Sequence, residues 1–381
     1  MKLPNPYLNP NYRTLIVVPV VLVALALVSL FFFFPVKPGV DLRGGLLLQV
    51  QTESEVDVAL LTQKMNAFSD DVTVRVFDTP LGTKGVEVEL ASSDDVIEAE
   101  SALKRVHELQ EQLVQSDLAL SAFLESGNVS ESQVSALQGA VTGLNEALRT
   151  EAGGLLVLIG SSKSLPDNWR DVVELVEWEF DASREAYRSN VLKAVGEVVE
   201  VRGFSVNEVG SSLSRFFLEK ASEVLIWSFV LSSVLVLIVF RSLRPSLAVI
   251  FGAVADVVIV AAVMGVLGIP LTLASIAGLL MLIGFSLDTD VMLTVRVLKR
   301  TEGRAVNRAF EAMKTGFLMN VTTITAFGVL LVMSWLLQIP TYFHIGAVAV
   351  IGGFVDFFPT WAFNAVIVLD EAQKKEKRLY H

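Results

Sequence analysis

Between Lys314 and Asp356 the chain runs for 41 residues without a charged side chain. A helix needs about 20 mostly apolar residues to cross a bilayer. A run of this length holds more than one span, and Gln338-Ile339-Pro340 divides the region into Phe317–Leu337 and Tyr342–Leu369. Four further runs obey the same rule. Thr14–Val36 is uncharged for 23 residues and ends in Phe31-Phe32-Phe33-Phe34-Pro35. Val224–Phe240 and Leu247–Leu267 follow, and after Gly268-Ile269-Pro270 comes Leu271–Val295. Six spans are expected. The first exceeds the ~7–15 apolar residues of a signal-peptide core and has no small-residue cleavage site after it, so it is expected to be retained.

Composition agrees. Hydrophobic residues make up 52% and charged residues 19%, against about 45–50% and 25% in soluble domains. With no cysteine, the chain has no disulfide framework, thiolate metal site or thiol nucleophile. Three histidines, His107, His344 and His381, are too few for a His-built zinc or catalytic site. No phosphate-binding loop, Gly-x-Ser-x-Gly or His-Glu-x-x-His segment occurs. We expect no enzyme, cofactor or metal, and the net charge of −11 argues against nucleic acid.

Lys and Arg in short loops mark the cytoplasmic side. Lys2 and Arg13 precede the first span, Arg241 and Arg244 follow the second, and Arg296, Lys299, Arg300, Arg304, Arg308 and Lys314 follow the fourth. Lys374, Lys375, Lys377 and Arg378 follow the sixth. All fall on one side if both termini are cytoplasmic. Residues 36–220 then lie outside, with sixteen basic and thirty-one acidic residues. The expected division is 1–36 (N-terminus and first span), 37–220 (extracytoplasmic domain), 221–370 (spans two to six) and 371–381 (basic tail).

In the external domain, Leu46–Thr52, Val72–Asp78 and Val86–Leu90 alternate as strands do, and Val56–Phe68 has helical spacing. Thr79-Pro80-Leu81-Gly82 suggests a hairpin turn. A helical hairpin is expected near 93–152, broken at Gly127-Asn128 and closed by Gly153-Gly154. Leu155–Gly160 reads as the next strand, giving β-α-β-β-α-β, an α+β ferredoxin-like domain between spans one and two. Residues 166–202 read as helix and Phe204–Val209 as a last strand. Asn128-Val129-Ser130 matches a glycosylation sequon.

Four carboxylates fall inside the spans: Asp256, Asp288, Asp290 and Asp356. An Asp at a helix centre costs roughly 2.5–3.5 kcal/mol on insertion scales, so it faces other helices or water and is a proton-relay candidate. Asp288 is the foremost candidate; Asp290, two residues on, points about 200° away around the helix. No span carries a Lys or Arg to pair with these acids, so a counter-ion would come from a partner chain. Gly278 and Gly284, with Gly346, Gly352 and Gly353, permit close helix contacts. Asn320, Thr322 and Thr323, with Thr325, read as interhelical polar contacts or the lining of a proton path.

Several of these segments together resemble the SecD family of protein-export membrane proteins. Gly39-Val40-Asp41-Leu42-Arg43-Gly44-Gly45 matches its Asp-Leu-Arg-Gly-Gly signature, and Val209-Gly210-Ser211-Ser212-Leu213 is similar to its segment before the second span. Ile276-Ala277-Gly278, followed by Ile283-Gly284-Phe285-Ser286-Leu287-Asp288-Thr289-Asp290, resembles its Gly-rich helix with the key aspartate, and Asn320-Val321-Thr322-Thr323 its fifth-span motif. The resemblance implies a protein of the resistance–nodulation–division superfamily. It would work with SecF, a second six-span protein, beside the Sec translocon, using the proton gradient to draw preproteins outward. The proton-linked aspartate maps onto Asp288. Asp290, where bacterial members usually carry Asn, resembles archaeal members.

Asp41, Arg43, Gly44 and Gly45 are expected to form the joint between first span and external sheet, the glycines allowing positive φ and Asp41 and Arg43 pairing or capping. The expected function is a proton-linked accessory subunit of protein export in the cell membrane. The rivals are a small-molecule exporter of the same superfamily and a proton-independent translocon scaffold.

Overall fold

The computed structural model describes residues 5–78, 84–125, 131–300 and 302–379. The turn expected at 79–82, the break at Gly127-Asn128 and the sequon lie outside the described residues. The chain divides into two compact units, one of Met1–Leu42 with Phe217–His381 and the other of Arg43–Phe216.

In the first unit, α1 (Val17–Val28) continues from a 3-10 turn at Tyr12–Ile16 and runs into a π-helical turn at Ser29–Phe33. After a single turn, α2 (Val40–Arg43), and the second unit come α7 (Ser211–Phe240), α8 (Leu243–Leu267) and α9 (Leu273–Leu298). Then follow α10 (Ala305–Leu337), α11 (Pro340–Val355) and α12 (Ala365–Leu379). Six helical stretches are long and apolar enough to cross a membrane: Tyr12–Phe33, Ser211–Phe240, Leu243–Leu267, Leu273–Leu298, Ala305–Leu337 and Pro340–Lys377.

The turns use residues suited to them. Gly268 (φ 69°) ends α8 in the left-handed conformation, and Thr272 and Ser275 cap α9 reciprocally. Gln338 (φ 55°) ends α10, and Pro340, whose missing N–H costs nothing there, starts α11. Lys37–Gly39 is strapped to the α8–α9 turn: Gly39 N–H donates to the Leu271 carbonyl and Leu271 N–H to that of Lys37, both at 2.8 Å. The sixth span is not one helix. α11 stops at Val355, and a π-helical turn at Pro359–Asn364 separates it from α12.

Burial sorts the helices. α8, α9 and α11 form the interior, with Val260, Leu282 and Val348 packed together. α1, α7 and α10 leave most of their apolar surface uncovered: Trp227, Leu231, Leu235 and Ile238 of α7 are all exposed. Such faces belong against lipid or another membrane protein.

In the second unit β1 (Gly45–Thr52), β2 (Val72–Asp78), β3 (Lys84–Ala91) and β4 (Gly203–Val209) form an antiparallel sheet in the order β2-β3-β1-β4. The register sets Leu48 opposite Val88 and Val206. Leu46, Leu48 and Val50 therefore point with Val86, Val88 and Leu90 to one face, where they pack on Leu61 and Met65 of α3 (Val58–Met65) and on Val191 and Val195 of α6 (Trp169–Gly196).

One expectation fails here. Leu155–Gly160 is not a strand: α5 (Glu131–Leu158) runs through Gly153 and Gly154. Leu148, Ala152, Leu155 and Leu156 keep helical spacing, and their burial against α4 (Asp94–Glu125) and α6 outweighs the glycines' poor helix propensity. The last strand is Gly203–Val209, reached only after α6. Val172, Val173, Val176 and Phe180 of α6 complete the core between α4 and α5.

Gly44 (φ 81°) and Gly45 (φ 134°) turn the chain into β1 in backbone that side chains rarely adopt. A Cβ on Gly45 would lie 2.0 Å from the Leu90 carbonyl oxygen. Gly45→Ala is expected to destabilise this unit by about 3 kcal/mol, combining strain with the clash. Gly284→Ala, with nothing within 4 Å, is expected to be neutral. Thermal unfolding of the purified full chain in detergent compares them.

Candidate functional site

Inside the first unit the interior helices converge on three aspartates. Asp256 lies mid-way along α8, Asp290 on the inner face of α9, and Asp356 where α11 ends. Their exposures are 1%, 0% and 0%. Helical spacing explains the selection on α9: Ser286, Asp290 and Thr294 recur every four residues and are buried.

Each acid is met by a neutral donor. The Ser286 hydroxyl donates to Asp256 Oδ2 at 2.6 Å. Asn320 Nδ2, from α10, donates to Asp356 Oδ2 at 2.9 Å, and the Thr360 hydroxyl to Asp356 Oδ1 at 3.1 Å. Asn364 Nδ2 donates to Asp290 Oδ2 at 2.7 Å. The π-helical turn after Asp356 makes the network possible by presenting both Thr360 and Asn364 inward. π turns recur at functional sites for this reason. Gly252 lets α8 close on the pair: a Cβ there would lie 2.6 Å from Asn364 Nδ2 and 3.4 Å from Asp290 Oδ2.

Among the described residues no Lys, Arg or His pairs with these acids, and no group of three metal-ligating side chains could hold a metal ion. An ionised carboxylate buried without a cation costs several kcal/mol.

Asp288, the foremost candidate from sequence, is not in this cluster. It is exposed on the outer side of α9, as its 200° offset from Asp290 requires. Asn320 and Gly278 are placed as expected, Gly278 against Val348. Thr322 is exposed and its hydroxyl donates to the Met319 carbonyl of its own helix, Thr323 is half-buried, and Gly284 packs on nothing. Sequence reasoning missed Ser286, Thr360 and Asn364. Their signal was helical spacing: Ser286 precedes Asp290 by one turn, and Thr360 precedes Asn364 by one turn in an otherwise apolar stretch.

In the second unit Arg43 pairs with Asp71 and, at 3.5 Å, with Glu89, not with Asp41. Arg75 bridges Glu87 at 2.9 Å and Glu89 at 2.8 Å. Burial pushes the Glu89 carboxyl up, against the pull of Arg75. Ser211 is held by Glu100, which accepts from both its N–H and its hydroxyl.

The family model described as "Protein export membrane protein SecD/SecF, C-terminal" matches residues 189–374, and that of the "SecD/SecF GG Motif" matches 29–56. SecF from Methanolacinia petrolearia is 38% identical over 161 residues, covering 42% of this chain and 57% of the relative. SecF from Methanothermobacter thermautotrophicus is 40% identical over 166 residues, 43% and 58% respectively. The chain thus spans a little under three fifths of these relatives' length. The crystal structure of SecDF, a translocon-associated membrane protein from Thermus thermophilus, has the same fold with a TM-score of 0.54 at 14% identity, covering 96% of this chain and 59% of that one. The relatives are SecF proteins, whereas the motifs were matched to SecD. The assignment holds at the level of SecD/SecF and not for SecD in particular.

The network predicts which polar residues matter. Asn320→Leu strips Asp356 of a buried donor and is expected to cost about 1–3 kcal/mol. Thr322→Val should stay within about 0.5 kcal/mol. Thermal unfolding in detergent separates the two.

Proposed function

Because the chain belongs to the SecD/SecF family of protein-export membrane proteins, we propose that it is a proton-linked accessory subunit of Sec-dependent export, of the SecF type. The observation that carries this is the buried network of Asp256, Asp290 and Asp356 with neutral donors and no cation. Such a site favours holding a proton over bearing uncompensated charge, so moving the helices can change which form it holds. A proton crossing the membrane field releases about 2.3 kcal/mol per 100 mV, enough to bias helix packing.

The partner is a second six-span subunit, here of the SecD type. Half of a two-fold transporter leaves its mating face uncovered, and α1, α7 and α10 carry uncovered apolar faces. Asp288, exposed on a membrane-spanning helix, belongs against a basic group of that partner, since a carboxylate facing hydrocarbon is disfavoured. The basic short loops support cytoplasmic termini and an extracytoplasmic Arg43–Phe216 unit. The remaining partners are the Sec translocon, the translocating preprotein and the bilayer.

One observation weighs against the scaffold rival. A scaffold without protons gives no reason for three buried acids.

The decisive variant is Asp290→Asn, read by export of a secreted reporter and by proton uptake in vesicles carrying the chain with its partner. Both should fall to the level of membranes lacking the chain; normal export and uptake would overturn the reading. Asp288→Asn should instead weaken co-purification of the second six-span subunit, and unchanged co-purification would remove Asp288 from the interface.

A further inference from the structure

Five buried polar atoms in or next to the acid network lack a hydrogen-bond partner: Asp256 Oδ1, Asp290 Oδ1, Asn364 Oδ1, Thr294 Oγ1 and Trp361 Nε1. Orphans of this kind mark the places of internal waters. They also have a direction. Thr294 lies one turn beyond Asp290 on α9, toward Arg296 and Lys299, and so toward the basic end of the bundle. Trp361 sits on the π-helical turn between Thr360, bonded to Asp356, and Asn364, bonded to Asp290. On the other side of the acids the filling is apolar, with Ile259, Val260, Leu279, Leu282 and Val348 packed together.

The basic end is closed by a segment that precedes the first span. Pro6–Leu8 forms a 3-10 turn capped by Asn5, and it carries Tyr7 into the bundle. Tyr7 is 2% exposed, packs in one cluster with Leu293, Val297 and Trp361, and donates its hydroxyl to the Trp361 carbonyl at 2.8 Å. Gly316 leaves the space that the indole occupies: a Cβ there would lie 2.1 Å from the Trp361 ring.

We propose that a hydrated path joins the Asp290–Asn364 pair to the basic face of the bundle through Thr294 and the Trp361 indole, and that the turn bearing Tyr7 is its plug. The path deepens the proton-linked reading and rests on it for its purpose. The acids exchange protons with the basic side only, and the opposite side stays sealed until the helices rearrange.

The chain has no native cysteine, so single-cysteine reporters need no prior substitution. Thr294→Cys and Leu282→Cys, each in the full chain in vesicles, are exposed to a membrane-impermeant thiol reagent from either face. Thr294→Cys should react from the basic face while Leu282→Cys stays inert. Adding Tyr7→Phe removes one hydrogen bond from the plug and should speed the Thr294→Cys reaction about three- to tenfold. An inert Thr294→Cys, or reaction only from the opposite face, overturns the path; an unchanged rate with Tyr7→Phe overturns the plug. If Thr294→Cys does not fold, exchange of the Trp361 indole N–H with heavy water in the unaltered chain reads the same path. Its signal is assigned by its loss in Trp361→Phe. Exchange within minutes supports the path and protection over days overturns it. Labelling does not depend on proton coupling. Intact export in Asp290→Asn would remove the function and leave the path, and an inert Thr294→Cys would remove only the path.

Discussion

Three carboxylates packed into the interior of a helix bundle, with no cation paired to them among the described residues, set the terms for the rest of this molecule. Asp256, Asp290 and Asp356 are buried on three different stretches of chain, so moving any of these helices changes the surroundings of an acid. Their hydroxyl and amide donors soften the loss of water without neutralising the charge. Neutral hydrogen bonds contribute about 1 kcal/mol each, less than the several kcal/mol that a buried ion loses.

The architecture around the acids follows from this demand. Glycine at 252 brings α8 against the Asn364–Asp290 pair, and glycine at 316 makes room for the Trp361 indole. The break in the sixth span adds the polar residues that a continuous helix would have turned elsewhere. The outward helices α1, α7 and α10 do not contribute a single acid to the network, and their uncovered apolar faces suit lipid or a second subunit. The second unit follows soluble rules, with alternating strands on a helical layer and arginine–glutamate pairs on the sheet.

Much of this was legible in the residues. Runs such as Leu247–Leu267 locate the spans because the bilayer imposes a length, and Gln338-Ile339-Pro340 breaks where a positive φ and a missing N–H fall together. Asp256, Asp290, Asp356 and Asn320 stood out as polar residues in apolar helices. The choice among the acids was not legible. Asp288 and Asp290 look alike in sequence, and only the packing of α8 and α12 around α9 decides which is inside. Leu155–Gly160 was misread because a short apolar run fits a buried helix as well as a strand. Its partners on α6 lie beyond the reach of local pattern. The π-helical turn at Pro359–Asn364 was not legible as such, although Thr360 and Asn364 stand one turn apart.

The account stands on protons neutralising the buried acids, and infrared spectroscopy of the full chain in heavy water measures that directly. At neutral pH it predicts a protonated carboxyl band that diminishes in Asp256→Asn or Asp356→Asn and persists in Asp288→Asn. A spectrum with no protonated carboxyl at neutral pH, or one whose band disappears only with Asp288→Asn, would contradict it.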